Sequence, residues 1–91
     1  MNPVSEEAHA MVAAGAVLLD VRTPAEFQQG HLPGAINIPV GEVAARVAEI
    51  GPPTTAVVTY CQAGGRSARA AATLTQLGFK KVLNLGPKSA W

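Results

Sequence analysis

The sequence predicts an α/β fold with a mostly parallel central sheet of about four to five strands and helices on both faces. Three observations lead there. Apolar, strand-like runs alternate with segments of helical spacing along the whole chain, as crossover connections require. Val17-Leu18-Leu19-Asp20-Val21 and Thr55-Ala56-Val57-Val58-Thr59-Tyr60 are nearly continuous apolar or β-branched runs, as expected of parallel strands covered on both faces. Cap and stop residues fall between the runs, at Thr23-Pro24, Gly51-Pro52-Pro53 and Gly78.

The elements follow in order. Ser5 is read as a helix N-cap, with Glu6 and Glu7 in a first turn that favours carboxylates. Val4, Ala8, Met11 and Val12 then share a face, and Gly15 is the stop. Val17–Val21 is the first strand. Thr23-Pro24-Ala25-Glu26 starts a second helix: Thr23 caps, Pro24 fits the first helical position and Glu26 closes a capping box. Gly30-His31-Leu32-Pro33-Gly34 turns into a short strand, Ala35-Ile36-Asn37-Ile38, stopped by Pro39. Val40, Val43, Ala44, Val47 and Ile50 trace an amphipathic helix, broken by Gly51-Pro52-Pro53. The Thr55–Tyr60 strand comes next. A helix runs from Ser67 to Leu77, with Gly78 as its C′ residue. Lys81-Val82-Leu83-Asn84-Leu85 is the last strand, closed by Gly86-Pro87.

With 91 residues the chain is read as one domain over residues 1–91. A net charge of +1 gives no bulk electrostatic case for nucleic acid or an anionic membrane surface. No apolar run approaches the roughly 20 residues of a membrane span. A monomer is the expected state. Met1-Asn2-Pro3 opens without a basic region leading into an apolar stretch. A cytoplasmic location is therefore favoured, with a periplasmic one open if a leader precedes this chain.

The one cysteine, Cys61, follows the Thr55–Tyr60 strand and opens the loop Cys61-Gln62-Ala63-Gly64-Gly65-Arg66 before Ser67. In open parallel sheets, ligands bind at the carboxyl ends of strands. The nucleophile is the thiolate, and an unperturbed thiol has a pKa of about 8.5. Lowering it by about two units takes roughly 2.7 kcal/mol of differential stabilisation. A helix end supplies about 0.3–1 kcal/mol, or ~2 in a buried site. The remainder is expected from loop N–H groups and from Arg66, with Gly64 and Gly65 letting the backbone turn tightly. A valine at Gly65 is expected to block that approach. The competing reading of Cys61 is a small buried apolar residue. The glycines and arginine beside it weigh against that.

At these residues the chain resembles a single-domain rhodanese, a thiosulfate sulfurtransferase, from about Ala16 to Trp91. Leu19-Asp20-Val21-Arg22-Thr23-Pro24-Ala25-Glu26-Phe27 resembles the family's first signature, and Gly30-His31-Leu32-Pro33-Gly34-Ala35-Ile36-Asn37-Ile38-Pro39 its second. Cys61 to Ser67 fits the active-site loop read as C-x-x-G-x-R-S, and Gly78-Phe79 with Val82–Gly86 the closing segment. The resemblance implies a three-layer rhodanese-like fold and double displacement through a Cys61 persulfide. Sulfane sulfur would pass from a donor such as thiosulfate to cyanide, a thiol or a protein acceptor. It implies that Gln62, Ala63, Gly64, Gly65, Arg66 and Ser67 cradle the sulfur, with no cofactor and no metal. With one cysteine in the chain, no internal thiol can resolve the persulfide. Two departures stand out: Pro87 follows Gly86 where the family more often has a second glycine, and the sequence stops at Trp91.

Other roles are weighed residue by residue. Arg66 either binds the donor's anionic group or pins the loop. Arg69 is read as a solvated helix residue. Asp20, Arg22, Glu26 and His31 are read as structural support, with Arg22 and Glu26 close enough along the chain to pair. His9, His31 and Cys61 have no metal-ligand spacing. Lys80 and Lys81 make a solvated turn rather than a nucleic-acid patch.

Two alternatives remain. A cysteine-based phosphatase or arsenate reductase would favour C-x5-R over the C-x4-R found here, and would want a general acid. The chain's single aspartate is Asp20. A regulatory or sulfur-carrier module without turnover is the other, against which the complete loop argues.

Overall fold

The computed structural model describes residues 2–91. Four strands, β1 (Val17–Asp20), β2 (Ile36–Asn37), β3 (Val57–Cys61) and β4 (Val82–Pro87), form one sheet in the order β2-β1-β3-β4, with every neighbouring pair parallel. Three helices, α1 (Pro3–Ala13), α2 (Pro24–Gln29) and α3 (Gly65–Gln76), complete the regular elements with three 3₁₀ turns.

Alternation along the strands splits the core into two layers. On one face, Ala8 and Met11 of α1 pack with Leu18, Val58, Tyr60 and Leu85, and Leu32 joins them from the loop after α2. On the other, Ala70 and Leu74 of α3 pack with Leu19, Val57 and Cys61, and with Val43, Ile50 and Phe79. Burying each such large side chain stabilises the fold by about 1.5–3 kcal/mol. The expected three-layer arrangement with helices on both faces is therefore what forms.

Several local expectations are corrected. Helix α1 is capped by Asn2, not Ser5: the Asn2 side chain accepts from the Ser5 N–H at 2.7 Å, and Pro3 takes the first helical position. The Ser5 hydroxyl is buried and donates to the Trp91 carbonyl at 2.8 Å, while Val4 points outward. Helix α3 begins at Gly65 rather than Ser67.

The segment expected as an amphipathic helix over Val40–Ile50 is two 3₁₀ turns, Val40–Glu42 and Val47–Glu49, joined by a turn. Its apolar positions do face the core, with Val43 and Ile50 buried. Gly41 and three β-branched valines weaken the α conformation there. The bonds Glu42 N–H to Pro39 O, Glu49 N–H to Arg46 O and Ile50 N–H to Val47 O are the tighter i→i−3 kind.

Strand β4 also runs further than expected, through Gly86 and Pro87. A register shift falls where Thr59 pairs with Asn84 but Tyr60 pairs with Gly86, so Leu85 is the extra residue and Cys61 lies opposite Pro87. Pro87 is tolerated because β4 is an edge strand.

Candidate active site

The carboxyl ends of β1 and β3 lie side by side, and each leads into a helix N-terminus. After β1, Thr23 accepts from the Glu26 N–H at 3.2 Å while Glu26 accepts from the Thr23 N–H at 3.0 Å, closing the expected capping box. After β3, the chain reverses at Gly64, whose φ of +109° is left-handed backbone that favours glycine. Gly65 is already helical, and a Cβ on it would meet nothing within 4 Å. The tight turn attributed to both glycines therefore belongs to Gly64.

Cys61 ends β3 with 1% of its surface exposed. Its sulfur accepts from the Gly64 N–H at 2.9 Å and from the Ser67 N–H at 3.4 Å, and its thiol lies 3.5 Å from the Ser67 Oγ. Burial pushes the Cys61 thiol up. The Ser67 hydroxyl and the N–H groups of Ser67, Gly64 and Ala63 outweigh it and hold the thiol below its ordinary value. The anion is thus favoured by oriented dipoles rather than by an adjacent base.

Ser67 is wholly buried and ties the loop together. Its hydroxyl donates to the Gly64 carbonyl at 2.9 Å and lies 3.5 Å from the Gly86 carbonyl. Its own carbonyl accepts from Thr59 Oγ1 at 3.1 Å, fixing the first turn of α3 to β3. Gln62 and Ala63 are exposed at the outside of the loop.

Arg66 meets Glu26 in a two-pronged pair, Nη1 to Oε1 at 2.7 Å and Nη2 to Oε2 at 3.0 Å. Arg66 beside it pulls the Glu26 carboxyl down to about 2. The expected Arg22–Glu26 pair does not form. Arg22 instead turns back on Asp20, with Nη2 to Oδ2 at 2.7 Å and Nε within 3.1 Å of both oxygens. Both residues are buried, at 4% and 0% exposed. Geometry decides the exchange: Asp20 already caps the Arg22 N–H at 2.9 Å, so its carboxylate sits where the guanidinium folds over. Arg22 also donates to the Gly30 carbonyl at 2.8 Å and reaches Gln62 Oε1 at 3.4 Å. His31 stacks on Phe27 and donates from Nδ1 to its carbonyl at 2.9 Å. Arg69 is exposed on α3.

Some supports were not singled out from the sequence. Asn37 donates to the carbonyls of Asp20 and Arg22, at 3.0 and 2.9 Å. The Tyr60 hydroxyl accepts from the Leu32 N–H at 3.1 Å, and burial pushes Tyr60 up to about 12. The alternation of β3 places Tyr60 on the face opposite Cys61, which was the available signal.

The arrangement can hold a sulfur anion, or a sulfur atom attached to it, inside a ring of N–H donors. Comparison with known proteins shows the family. A model of the rhodanese-like domain matches residues 4–87. The chain is 46% identical over 76 residues to a sulfurtransferase of Allochromatium vinosum, covering 82% of this chain and 70% of that protein. It is 44% identical to the thiosulfate sulfurtransferase PspE of Escherichia coli, covering 75% of this chain and 66% of that one. Among solved structures, a rhodanese with anions from E. coli superposes with a TM-score of 0.80 at 37% identity, covering 85% of this chain and 92% of that chain. A four-stranded parallel sheet with helices on both faces, a cysteine at the carboxyl end of β3 and this family match make the chain a member of the rhodanese-like sulfurtransferase family.

Proposed function

We propose that this protein transfers sulfane sulfur from a small anionic donor, thiosulfate being the reference case, to a thiophilic acceptor through a persulfide on Cys61. The observation that supports this best is the Cys61 sulfur held by the Gly64 and Ser67 N–H groups, with its thiol below the ordinary value. The thiolate attacks the outer sulfur of thiosulfate. The bond between the two donor sulfurs breaks, and sulfite leaves with the electron pair. Cys61 is left as a persulfide anion, whose terminal sulfur the loop donors can stabilise. Cyanide or an external thiol then attacks that sulfur and returns the Cys61 thiolate. The similarity to proteins named sulfurtransferase and to a rhodanese with anions supports an anionic donor.

The phosphatase reading loses further ground. Arg66 is engaged by Glu26 on both nitrogens, and Asp20 is enclosed with Arg22. Neither is placed to clamp a phosphate or to protonate a leaving group.

The test is the intact mass of reduced protein after incubation with thiosulfate, before and after cyanide. The expected result is a gain of one sulfur that cyanide removes and that Cys61→Ser never acquires. A sulfur gain retained in Cys61→Ser would refute the assignment of the nucleophile. A gain that cyanide leaves in place would replace turnover with a carrier that serves a dedicated acceptor.

A further inference from the structure

The thiosulfate dianion must approach a site whose nucleophile is itself an anion, so recognition calls for a cation that is not already neutralised. The basic side chains around the loop are largely spoken for. Arg22 is paired with Asp20 and Arg66 with Glu26. Arg46 is paired with Glu42 and Glu49 on the surface of the 3₁₀ segment. Lys80 and Lys81 precede β4, at the opposite end of the sheet from Cys61.

Lys88 differs from all of these. It follows the Cys61–Pro87 register pair, so its backbone leaves the sheet beside the cysteine. Its side chain runs across the carboxyl end of the sheet to α2: a Cβ on Gly30 would lie 3.7 Å from Nζ. Gly30 is the residue whose carbonyl accepts from Arg22, and Arg22 in turn reaches Gln62 of the loop. Pro87 closes the same wall, with its Cδ 3.7 Å from where a Cβ on Gly64 would stand. Among the described residues no carboxylate lies within ion-pair distance of the Lys88 ammonium, although the residue is partly buried. Arg69 also lacks an ion pair among the described residues, but it is exposed on α3.

We infer that Lys88 is the specificity-determining cation of this site, receiving the anionic end of the sulfur donor while Cys61 attacks its outer sulfur. The inference rests on the sulfurtransferase reading and adds to it a preference for dianionic over monoanionic donors. Arg66, which sequence spacing offers for this part, is a strut between the loop and α2. A flexible ammonium that makes no carboxylate pair accepts an incoming sulfonate without first breaking a bond. Such an interaction, partly open to solvent, is screened by salt.

The experiment compares full-length wild type with Lys88→Met and Lys88→Arg in thiosulfate:cyanide transfer, at low and raised sodium chloride. A thermal unfolding scan establishes that each variant is folded. Lys88→Met should raise the KM for thiosulfate by about fivefold, the effect of losing one partly exposed ion pair. It should leave the KM for cyanide unchanged. The increase should be smaller for methanethiosulfonate, a monoanion. Salt should weaken thiosulfate use in wild type more steeply than in Lys88→Met, and Lys88→Arg should restore both the KM and the salt slope. A merely structural lysine would move neither the donor-charge preference nor the salt slope. Wild type that loads sulfur while Lys88→Met matches its KM and salt slope overturns the assignment of Lys88 alone. Wild type that takes no sulfur from either donor overturns the sulfurtransferase reading and this inference together.

Discussion

Replacing Ser67 with alanine removes one atom from the site and should raise the pKa of Cys61. In the thiol state the geometry gives the hydroxyl two tasks. Its proton goes to the Gly64 carbonyl at 2.9 Å, and its oxygen receives the Cys61 S–H at 3.5 Å. A hydroxyl has one proton, so on ionisation it must turn from the carbonyl toward the sulfur to act as a donor. A hydrogen bond to a charged group is worth about 1.5–3 kcal/mol. At this long separation we take about 1.4 kcal/mol, which is about one pKa unit. The N–H groups of Ser67 and Gly64 survive in Ser67→Ala, so the shift is partial. The sign is fixed by the direction found for Cys61: its thiol sits below the ordinary value, and the variant moves back up toward it. Ionisation of a depressed thiol adds stability above the ordinary thiol pKa, and that gain is lost as pH falls through the folded value. In Ser67→Ala that gain is smaller. The assay is the pH profile of iodoacetamide alkylation, read by mass, beside a thermal scan. At pH values below both midpoints the thiolate fraction should fall about tenfold, and alkylation should slow by about threefold because the more basic thiolate is the better nucleophile. A folded variant whose midpoint stays put or moves down would refute the turning hydroxyl and leave the backbone donors as the whole cause.

Two further substitutions probe the frame. Gly64→Ala should destabilise the fold by about 1–2 kcal/mol because its φ of +109° disfavours a Cβ, whereas Gly65→Ala should be neutral or slightly stabilising; equal losses in urea unfolding would overturn the distinction. Asp20→Asn should cost about 3–5 kcal/mol by leaving the 4%-exposed Arg22 guanidinium without its carboxylate, and a loss below about 1 kcal/mol in the same assay would show that water reaches the pair.

The parts of this protein that were legible in its sequence are those encoded by neighbours along the chain. The β3 run, the Thr23–Glu26 capping box and the Cys61–Ser67 loop each contain their own reasons, and each forms where expected apart from boundary shifts. Val40–Ile50 was half legible: its apolar spacing specified which residues are buried, but Gly41 and the valines tipped the backbone into 3₁₀ turns. The pairing of Glu26 with Arg66, 40 positions apart, depends on how α2 and α3 converge over the sheet. Residue spacing carries no record of that, and the nearer partner, Arg22, had been taken by Asp20. Lys88 was invisible for a related reason. Its approach to Gly30 follows from the register of β4, which the extra residue Leu85 sets.

Glu26 has a consequence for how this protein holds and loses order. One carboxylate oxygen, Oε1, accepts from the Thr23 backbone N–H, the Thr23 hydroxyl and the Arg66 guanidinium. Helix α2 has six residues, too few to persist by its own hydrogen bonds. The loop around Cys61 likewise has few apolar anchors of its own. Each therefore borrows rigidity from the other, through the Glu26–Arg66 pair and through Arg22, which bridges the Gly30 carbonyl and Gln62. The first turn of α2 and the sulfur cradle should open and close as one cooperative unit, so a disturbance at either end of that pair is felt as slackness at the nucleophile.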